Sequence, residues 1–261
     1  KQKTAYEIGV RLVGSEMCIR DRGKLGPKPT TLREARKEGW VPSVSTVWGD
    51  IVAKPMLNKW MQNELMEAIY TEFHSAENMG RSQSYDEYQE LARTRFSKKQ
   101  QQVMSRGTVI HDHLELYFKG IKVSPEYEEI CHNVHQKLNE VCDGGDWIAE
   151  HAFAHHSGYG GKIDLHNDEW VIDFKTKEFP EKPNVKKMVY DDYGAQLAAY
   201  NYGMGNTRRI MNLFIDVGEG HRVLEWEHED TSRYTNMFKH ALSLWKLVKK
   251  YDPSWSDKRV M

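Results

Sequence analysis

The character of the chain changes at Asp143-Gly144-Gly145, and this break limits the folds that are open to it. Before the break, apolar residues recur at helical spacing. After it, short apolar runs are separated by Gly-rich or Asn-Asp turns, which is typical of strands in a meander. From about residue 105 the predicted order is two helices, three strands, a helix, two strands and a last helix. This order indicates an α/β fold.

The predicted helices and strands follow from the spacing of apolar residues and from residues that typically begin or end these elements. Ser84 and Glu87 form a capping-box pattern at one helix start, and Gly120 is a typical helix stop. Helices are predicted at 43–52, 55–73, 84–103, 105–120, 124–142, 191–205 and 231–251. Strands are predicted at 147–156, 161–167, 170–177 and 210–217, with a possible edge strand at 222–229. The Gly-, Pro- and basic-rich residues 23–42 predict an extended lead-in.

Composition and charge exclude several classes of protein. The 261 residues are enough for one large domain or a catalytic domain with a helical extension. A net charge of −1 argues against coating nucleic acid by bulk charge, yet allows a local basic channel beside an acidic metal site. No apolar run of about 18 residues predicts a membrane span. The three cysteines form no CxxC pair, which suits a reducing cytoplasm and excludes a zinc finger built from this chain alone.

The first residues need separate treatment. The stretch from Tyr6 to Arg22 resembles the peptide that results when sequencing-adapter reads are translated at the end of a contig. We therefore interpret residues 1–22 as non-native or disordered and leave them out of the fold prediction. The native protein would then start upstream of, or near, Gly23.

Residues 158–177 carry the strongest chemical signal. In a strand, residues two apart share a face, so Asp173 and Lys175 are expected on one side of the third strand. The turn at 166–169 brings Asp164 of the preceding strand opposite the Asp173 region. Two carboxylates there would form a hard oxygen site suited to Mg²⁺ or Mn²⁺. Asp173 lies in an apolar run, where an unpaired charge is costly, and this favours a site over a solvated strand face.

Three motifs together resemble the PD-(D/E)XK nuclease superfamily, in its RecB-like exonuclease branch with phage members. G-x-I-D-(x8)-D-F-K-T, ending at Thr176, resembles the central motif of that superfamily. RGTVIHDHLE contains Gly107-x-x-x-His111, similar to the helical GxxxH element. YGAQLAAYNYG contains Gln196-x-x-x-Tyr200, similar to the Q-motif helix. The resemblance covers about residues 105–217.

This resemblance implies a restriction-endonuclease-like core of α-βββ-α-β order, with a central mixed sheet flanked by helices and an N-terminal helical extension. It implies Mg²⁺ or Mn²⁺ as cofactor and no iron–sulfur cluster. The implied metal ligands are His111, Asp164, Asp173 and the backbone carbonyl of Phe174. Asp164, Asp173 and Lys175 would be catalytic. The implied substrate-binding residues are Thr176, Lys177, Gln196 and Tyr200, the last two either contacting substrate or holding the site. Glu150 is interpreted as a polar strand residue rather than a supporting acid.

The predicted domains are the segment 1–22, a helical extension at 23–104 and a nuclease core at 105–261. The extension is a possible DNA channel wall, since residues 92–106 carry five basic residues and no acid. These are Arg93, Arg95, Lys98, Lys99 and Arg106. Lys59 and Trp60 on an earlier helix could join them, and Lys182, Lys186 and Lys187 form a second candidate contact. The alternative is a solvated helix face.

The resulting hypothesis is a metal-dependent deoxyribonuclease of bacterial or phage DNA replication, recombination or repair. It is expected in the cytoplasm of a bacterium or of a phage-infected host. Exonuclease action on single-stranded DNA or DNA ends is preferred on the resemblance alone. Two alternatives remain open: a structure-specific endonuclease of the same fold, and a catalytically silent DNA-binding protein that partners recombination. A recombination or replication protein is a possible partner.

Overall fold

The computed structural model describes residues 31–78, 84–218 and 220–255. The interpretation of residues 1–22 lies outside this part of the chain. The helices are α1 (Leu32–Glu38), α2 (Val44–Ile51), α3 (Pro55–Asn78), α4 (Tyr85–Phe118), α5 (Pro125–Val141), α6 (Asp191–Gly203) and α7 (Thr231–Lys249). The strands are β1 (Ile148–His155), β2 (Tyr159–His166), β3 (Trp170–Lys177), β4 (Arg209–Asp216) and β5 (Val223–Glu227). A short 3₁₀ turn, Val185–Lys187, precedes α6.

The five strands form one mixed sheet in the order β1-β2-β3-β4-β5. The first three make an antiparallel meander, β4 runs parallel to β3, and β5 returns antiparallel to β4. A parallel neighbour requires a crossover, and the chain segment that contains α6 supplies it between β3 and β4. The predicted fold class, an α/β core with a mixed sheet flanked by helices and a helical N-terminal part, is confirmed.

A buried cluster on one face of the sheet positions α6 close to the strands. Val171 of β3 and Ile210 of β4 are fully buried there, together with residues of α2, α6 and α7. Gly161 of β2 allows this approach, because a Cβ atom at that position would lie 2.6 Å from the ring of Tyr200 on α6. The close packing places the side chains of α6 over the central strands.

Two predicted elements differ from the structure. Residues 84–103 and 105–120 were expected as two helices, whereas Tyr85–Phe118 is one continuous helix. Gly107 does not interrupt it, because a glycine inside a helix costs only about 1 kcal/mol relative to alanine. The prediction of an extended conformation for residues 23–42 is wrong for Leu32–Glu38, which is helical. This helix ends before Gly39, whose φ is +71°.

The contacts divide the chain into two compact units. Of the described residues, one unit contains the sheet and comprises 31–52 and those of 111–255; the other comprises those of 53–110. Residues 44–51 thus belong to the sheet unit by their contacts, although the predicted extension included them. The predicted division into extension and core stays a prediction.

The smaller unit pairs α3 with the first part of α4 through ion pairs. Lys99 Nζ lies 2.5 Å from Glu64 Oε2 and 3.2 Å from Glu67 Oε2, and Arg95 contacts Glu72. Across the described chain, every helix is too short or too polar to cross a membrane.

Candidate active site

Asp173 and Lys175 lie on the same side of β3, as strand alternation predicts. Asp173 is 2% exposed, and its Oδ2 atom is 2.5 Å from Lys175 Nζ. The same Oδ2 atom accepts a hydrogen bond of 2.6 Å from Asn212 Nδ2 on β4. Both donors therefore converge on one carboxylate oxygen, and Oδ1 accepts no hydrogen bond from the described part of the chain.

Asp164 lies where the backbone pairing of β2 with β3 ends, just beyond the pair Leu165–Ile172. Its Oδ2 atom accepts a hydrogen bond of 2.9 Å from the backbone N–H of Phe174. The side chain thus continues the contact between the two strands and brings a second carboxylate to the region of Asp173. His111 Nδ1 lies 3.5 Å from the same Oδ2 atom, and its ring is edge-on to that of Phe174 at 5.8 Å.

Gln196 and Tyr200 lie one turn apart on α6 and form a chain that ends on Lys175. Lys175 Nζ donates to Gln196 Oε1 at 3.3 Å, and Gln196 Nε2 donates to the Tyr200 hydroxyl at 2.9 Å. Tyr200 is 3% exposed and belongs to the buried cluster. The resemblance allows Tyr200 either to contact substrate or to hold the site in place. The burial of Tyr200 favours the second role.

Thr176 and Lys177 have different places on β3. Thr176 follows Lys175 in a regular strand, so it lies on the opposite face from Asp173 and Lys175. Lys177 lies on the same face as Lys175; its Nζ donates to the carbonyl of Met188 at 2.9 Å and lies 4.8 Å from the centre of the Tyr190 ring. The structure thus brings Lys177, but not Thr176, to the side of the carboxylates.

The two carboxylates are electrostatically unequal because their charged neighbours differ. Burial raises the pKa of Asp173 to about 6, against the opposing effect of Lys175. Burial would also raise the pKa of Asp164, but His111 and Lys175 hold it below its ordinary range. Burial disfavours the charged imidazole of His111, yet the Asp164 carboxylate outweighs this effect and raises its pKa. A bound cation would favour the ionised form of both carboxylates.

The donor atoms suit a hard divalent cation. Two carboxylates, a carbonyl and an imidazole are ligands that Mg²⁺ or Mn²⁺ accepts. As the side chains stand, no group of three or more His, Cys, Asp or Glu residues in the described chain is arranged to hold an ion. His111 contacts Asp164 and Lys175 contacts Asp173 instead, so these pairings would have to adjust when an ion binds. The unbonded Oδ1 atom of Asp173 is the available ligand atom on that residue.

Several residues of the site were not predicted from the sequence. Asn212 is the one polar side chain between Ile210 and Ile215 of β4, and this interruption of an apolar strand was a usable signal. His228, just after β5, is 3% exposed and lies 2.8 Å from Asn212 Oδ1 through Nε2. Tyr193 lies 5.0 Å from Lys175 Nζ, measured to its ring centre.

Glu150, which the sequence analysis interprets as a polar strand residue, lies on β1 next to the strand that carries Asp164. It stands opposite Asp164 in the β1–β2 register, between the pairs Ala149–Leu165 and His151–Ile163. Its φ of +56° is uncommon for a residue other than glycine. Its carboxylate is paired with Lys162.

Of the five basic residues predicted to contact DNA from residues 92–106, Arg95 and Lys99 are engaged by acids of α3. Arg93 and Lys98 are exposed. In the second candidate contact, Lys182, Lys186 and Lys187 are also exposed. The role of both groups in binding DNA stays a prediction.

Comparison with known proteins gives a structural likeness only. No family model matches the sequence, and no curated protein matches it. Among solved structures, the chain is similar to an alkaline exonuclease, LHK-Exo, from Laribacter hongkongensis, with 15% identity and a TM-score of 0.36. It is also similar to LHK-Exo in complex with dAMP, with 15% identity and a TM-score of 0.33. Each match covers 56% of this chain and 80% of the other.

Proposed function

We propose that this protein is a metal-dependent DNA nuclease that hydrolyses phosphodiester bonds. The observation that carries the proposal is the contact of the buried Asp173 with Lys175, close to the half-buried Asp164, which is itself in contact with His111. Burying carboxylates in one region costs several kcal/mol unless they are paired or bind a cation. Lys175 offsets one charge, and a divalent cation would compensate the rest.

Asp164, Asp173, His111 and the carbonyl of Phe174 would hold the cation. A Mg²⁺ or Mn²⁺ ion bound there would lower the pKa of a bound water and neutralise charge on the scissile phosphate. Phosphate hydrolysis needs both of these effects, and the donor set of the site supports them.

Lys175 would act at the reacting phosphate. Its ammonium group has three N–H donors, of which one reaches Asp173 and one reaches Gln196. The third is available for a phosphate oxygen or for the attacking water. Gln196, held by the Tyr200 hydroxyl, limits the rotation of the Lys175 side chain and so directs that third donor.

Lys177 and Tyr190 would contact the substrate next to the reacting phosphate. Lys177 is surrounded by aromatic rings, and burial lowers the pKa of its ammonium group. Among the described residues, its ammonium group donates one hydrogen bond, to the Met188 carbonyl, so N–H donors remain for a phosphate oxygen. The exposed ring of Tyr190 is suited to stack on a base.

Cleavage of end-labelled single-stranded DNA in Mn²⁺, in Mg²⁺ and in EDTA tests the function. We expect cleavage with either metal and none in EDTA. Lys175→Ala and Asp173→Ala should each lose roughly 100-fold or more in rate, because they remove charge stabilisation at the phosphate. Lys122→Ala, an exposed lysine outside the site, is the matched control and should cleave like the wild type. An inactive wild-type protein, or unchanged rates in both site variants, would overturn the proposal.

An exonuclease of bacterial or phage DNA replication, recombination or repair is the form we propose, and this preference rests on the resemblance alone. Closed circular DNA has no ends, so an endonuclease can cut it and an exonuclease cannot. Survival of the circle while linear DNA is degraded is the expected result. Cutting of the circle would identify an endonuclease, and DNA binding without any cleavage would identify a silent binding protein.

A further inference from the structure

We infer that Asn212 and His228 are positioning residues that orient the carboxylate of Asp173 for its ligand. This inference rests on the proposed function, because it concerns the same site. Asn212 is fully buried on β4, directly beside Asp173 in the parallel register. Its Nδ2 atom lies 2.6 Å from Asp173 Oδ2 and 3.2 Å from the Asp173 backbone carbonyl.

The orientation of the Asn212 amide follows from its partners. The carboxylate oxygen and the carbonyl oxygen of Asp173 both accept hydrogen bonds. Only the NH₂ group of Asn212 can satisfy them, and a flipped amide would place oxygen against oxygen. The amide nitrogen therefore faces Asp173 and the amide oxygen faces away from it, toward His228.

The same logic assigns the proton on His228. Because Asn212 Oδ1 is an acceptor, the Nε2 atom of His228 at 2.8 Å must be the donor. The Nδ1 atom has no hydrogen-bond partner among the described residues, which fits a neutral ring whose proton is on Nε2. His228 thereby holds the amide of Asn212 in the one orientation that donates to Asp173.

The consequence concerns which oxygen of Asp173 remains for a cation. Asn212 and Lys175 both occupy Oδ2, so the carboxylate is held with Oδ1 unbonded by the described residues. Lys175 alone is a flexible partner, whereas the amide of Asn212 is fixed by His228 and by the strand pairing. Asn212 of β4 and His228, just after β5, therefore determine the direction in which Oδ1 points. Partners of this kind commonly change metal affinity by about 10- to 100-fold.

The test is Mn²⁺ binding measured by titration calorimetry on the full chain without DNA, with the cleavage rate as a second readout. Asn212→Leu and His228→Leu should each weaken Mn²⁺ binding by about 10-fold or more. His228→Gln keeps a donor for Asn212 Oδ1 and should bind Mn²⁺ within about threefold of the wild type, a retention that general loss of packing does not predict. The double variant should bind no more weakly than Asn212→Leu, because His228 acts through Asn212.

Asn201→Leu is the matched control. Asn201 is also a buried asparagine, but its side chain bonds the backbone of Arg208 rather than Asp173. Its loss should lower stability without weakening Mn²⁺ binding. Thermal unfolding shows whether each variant is folded. If His228→Leu does not fold, the comparison of His228→Gln with Asn212→Leu tests the inference.

The outcomes separate the two proposals. A wild type that binds Mn²⁺ and cleaves DNA, with Asn212→Leu unchanged or no worse than Asn201→Leu, overturns the positioning role and leaves the nuclease standing. Equal weakening by His228→Gln and His228→Leu also overturns the role of the donor. A wild type that neither binds Mn²⁺ nor cleaves overturns both.

Discussion

At the scale of single residues, the ionised carboxylate of Asp173 lowers the stability of the fold. Its carboxylate is buried and bonded on one oxygen by Lys175 and Asn212. Burial raises its pKa to about 6, so the ionised form is less stable in the folded protein than in the unfolded chain. The resulting loss of stability is absent below about pH 4 and complete above about pH 6. At neutral pH, without a bound cation, the ionised carboxylate therefore destabilises the folded protein.

Asp173→Asn should consequently raise the free energy of unfolding in EDTA at pH 7. We expect an increase of about 1 kcal/mol, smaller than the full ionisation effect because the contact with Lys175 is weakened. If the proposed metal site exists, Mn²⁺ should raise the melting temperature of the wild type, and the same variant should lose this increase. Thermal unfolding with and without Mn²⁺ measures both effects, and a less stable variant in EDTA would show that the carboxylate stabilises the fold by itself.

At the scale of elements, the end of helix α7 places a lysine in a backbone conformation that residues other than glycine rarely adopt. Lys250 follows α7 with φ +49°, the left-handed conformation that favours glycine. Its backbone N–H bonds the carbonyls of Lys246 and Leu247, so the conformation closes the helix. The end of the helix requires this left-handed backbone conformation, and the lysine side chain contributes nothing to it.

Lys250→Gly should therefore stabilise the protein by roughly 0.5–1 kcal/mol. Urea unfolding measures the change, which should appear as a higher midpoint with the slope unaltered. Lys250→Ala keeps the side-chain penalty at positive φ and serves as the control. Equal midpoints for the glycine and alanine variants would contradict the explanation.

Across the whole molecule, stability depends on histidines that are buried as neutral rings. Burial lowers the pKa of His228 to about 4 and that of His166 to about 4, from an ordinary 6.5. The unfolded chain therefore takes up protons before the folded protein does. The stability linked to these rings is complete above about pH 6.5 and is lost as the pH falls toward 4.

We expect the free energy of unfolding to fall by about 1–2 kcal/mol for each histidine between pH 7 and pH 5. His228→Gln removes one of the two groups, so its profile should be flatter than that of the wild type by that amount. Both proteins are compared in the same EDTA buffers, so that the other titrating groups cancel. Parallel profiles would show that His228 is not held neutral by the fold.

The sequence by itself determined what depends on local periodicity. Strand alternation placed Asp173 and Lys175 on one face, and helical spacing placed Gln196 next to Tyr200. The order of strands and helices after residue 143 was equally readable, because each run has a clear period and a clear end. The division of residues 84–120 into two helices at about residue 104, by contrast, was wrong, because the segment is one continuous helix.

Only the tertiary structure decided which of these local groups meet. The parallel pairing of β3 with β4 puts Asn212 beside Asp173, and the return of β5 brings His228 to Asn212. The packing of α6 on the sheet brings Gln196 to Lys175. These contacts join residues from 16 to 39 positions apart, and none has a local period. They depend on register and helix docking, which the burial of the whole core sets and which short windows of sequence do not encode.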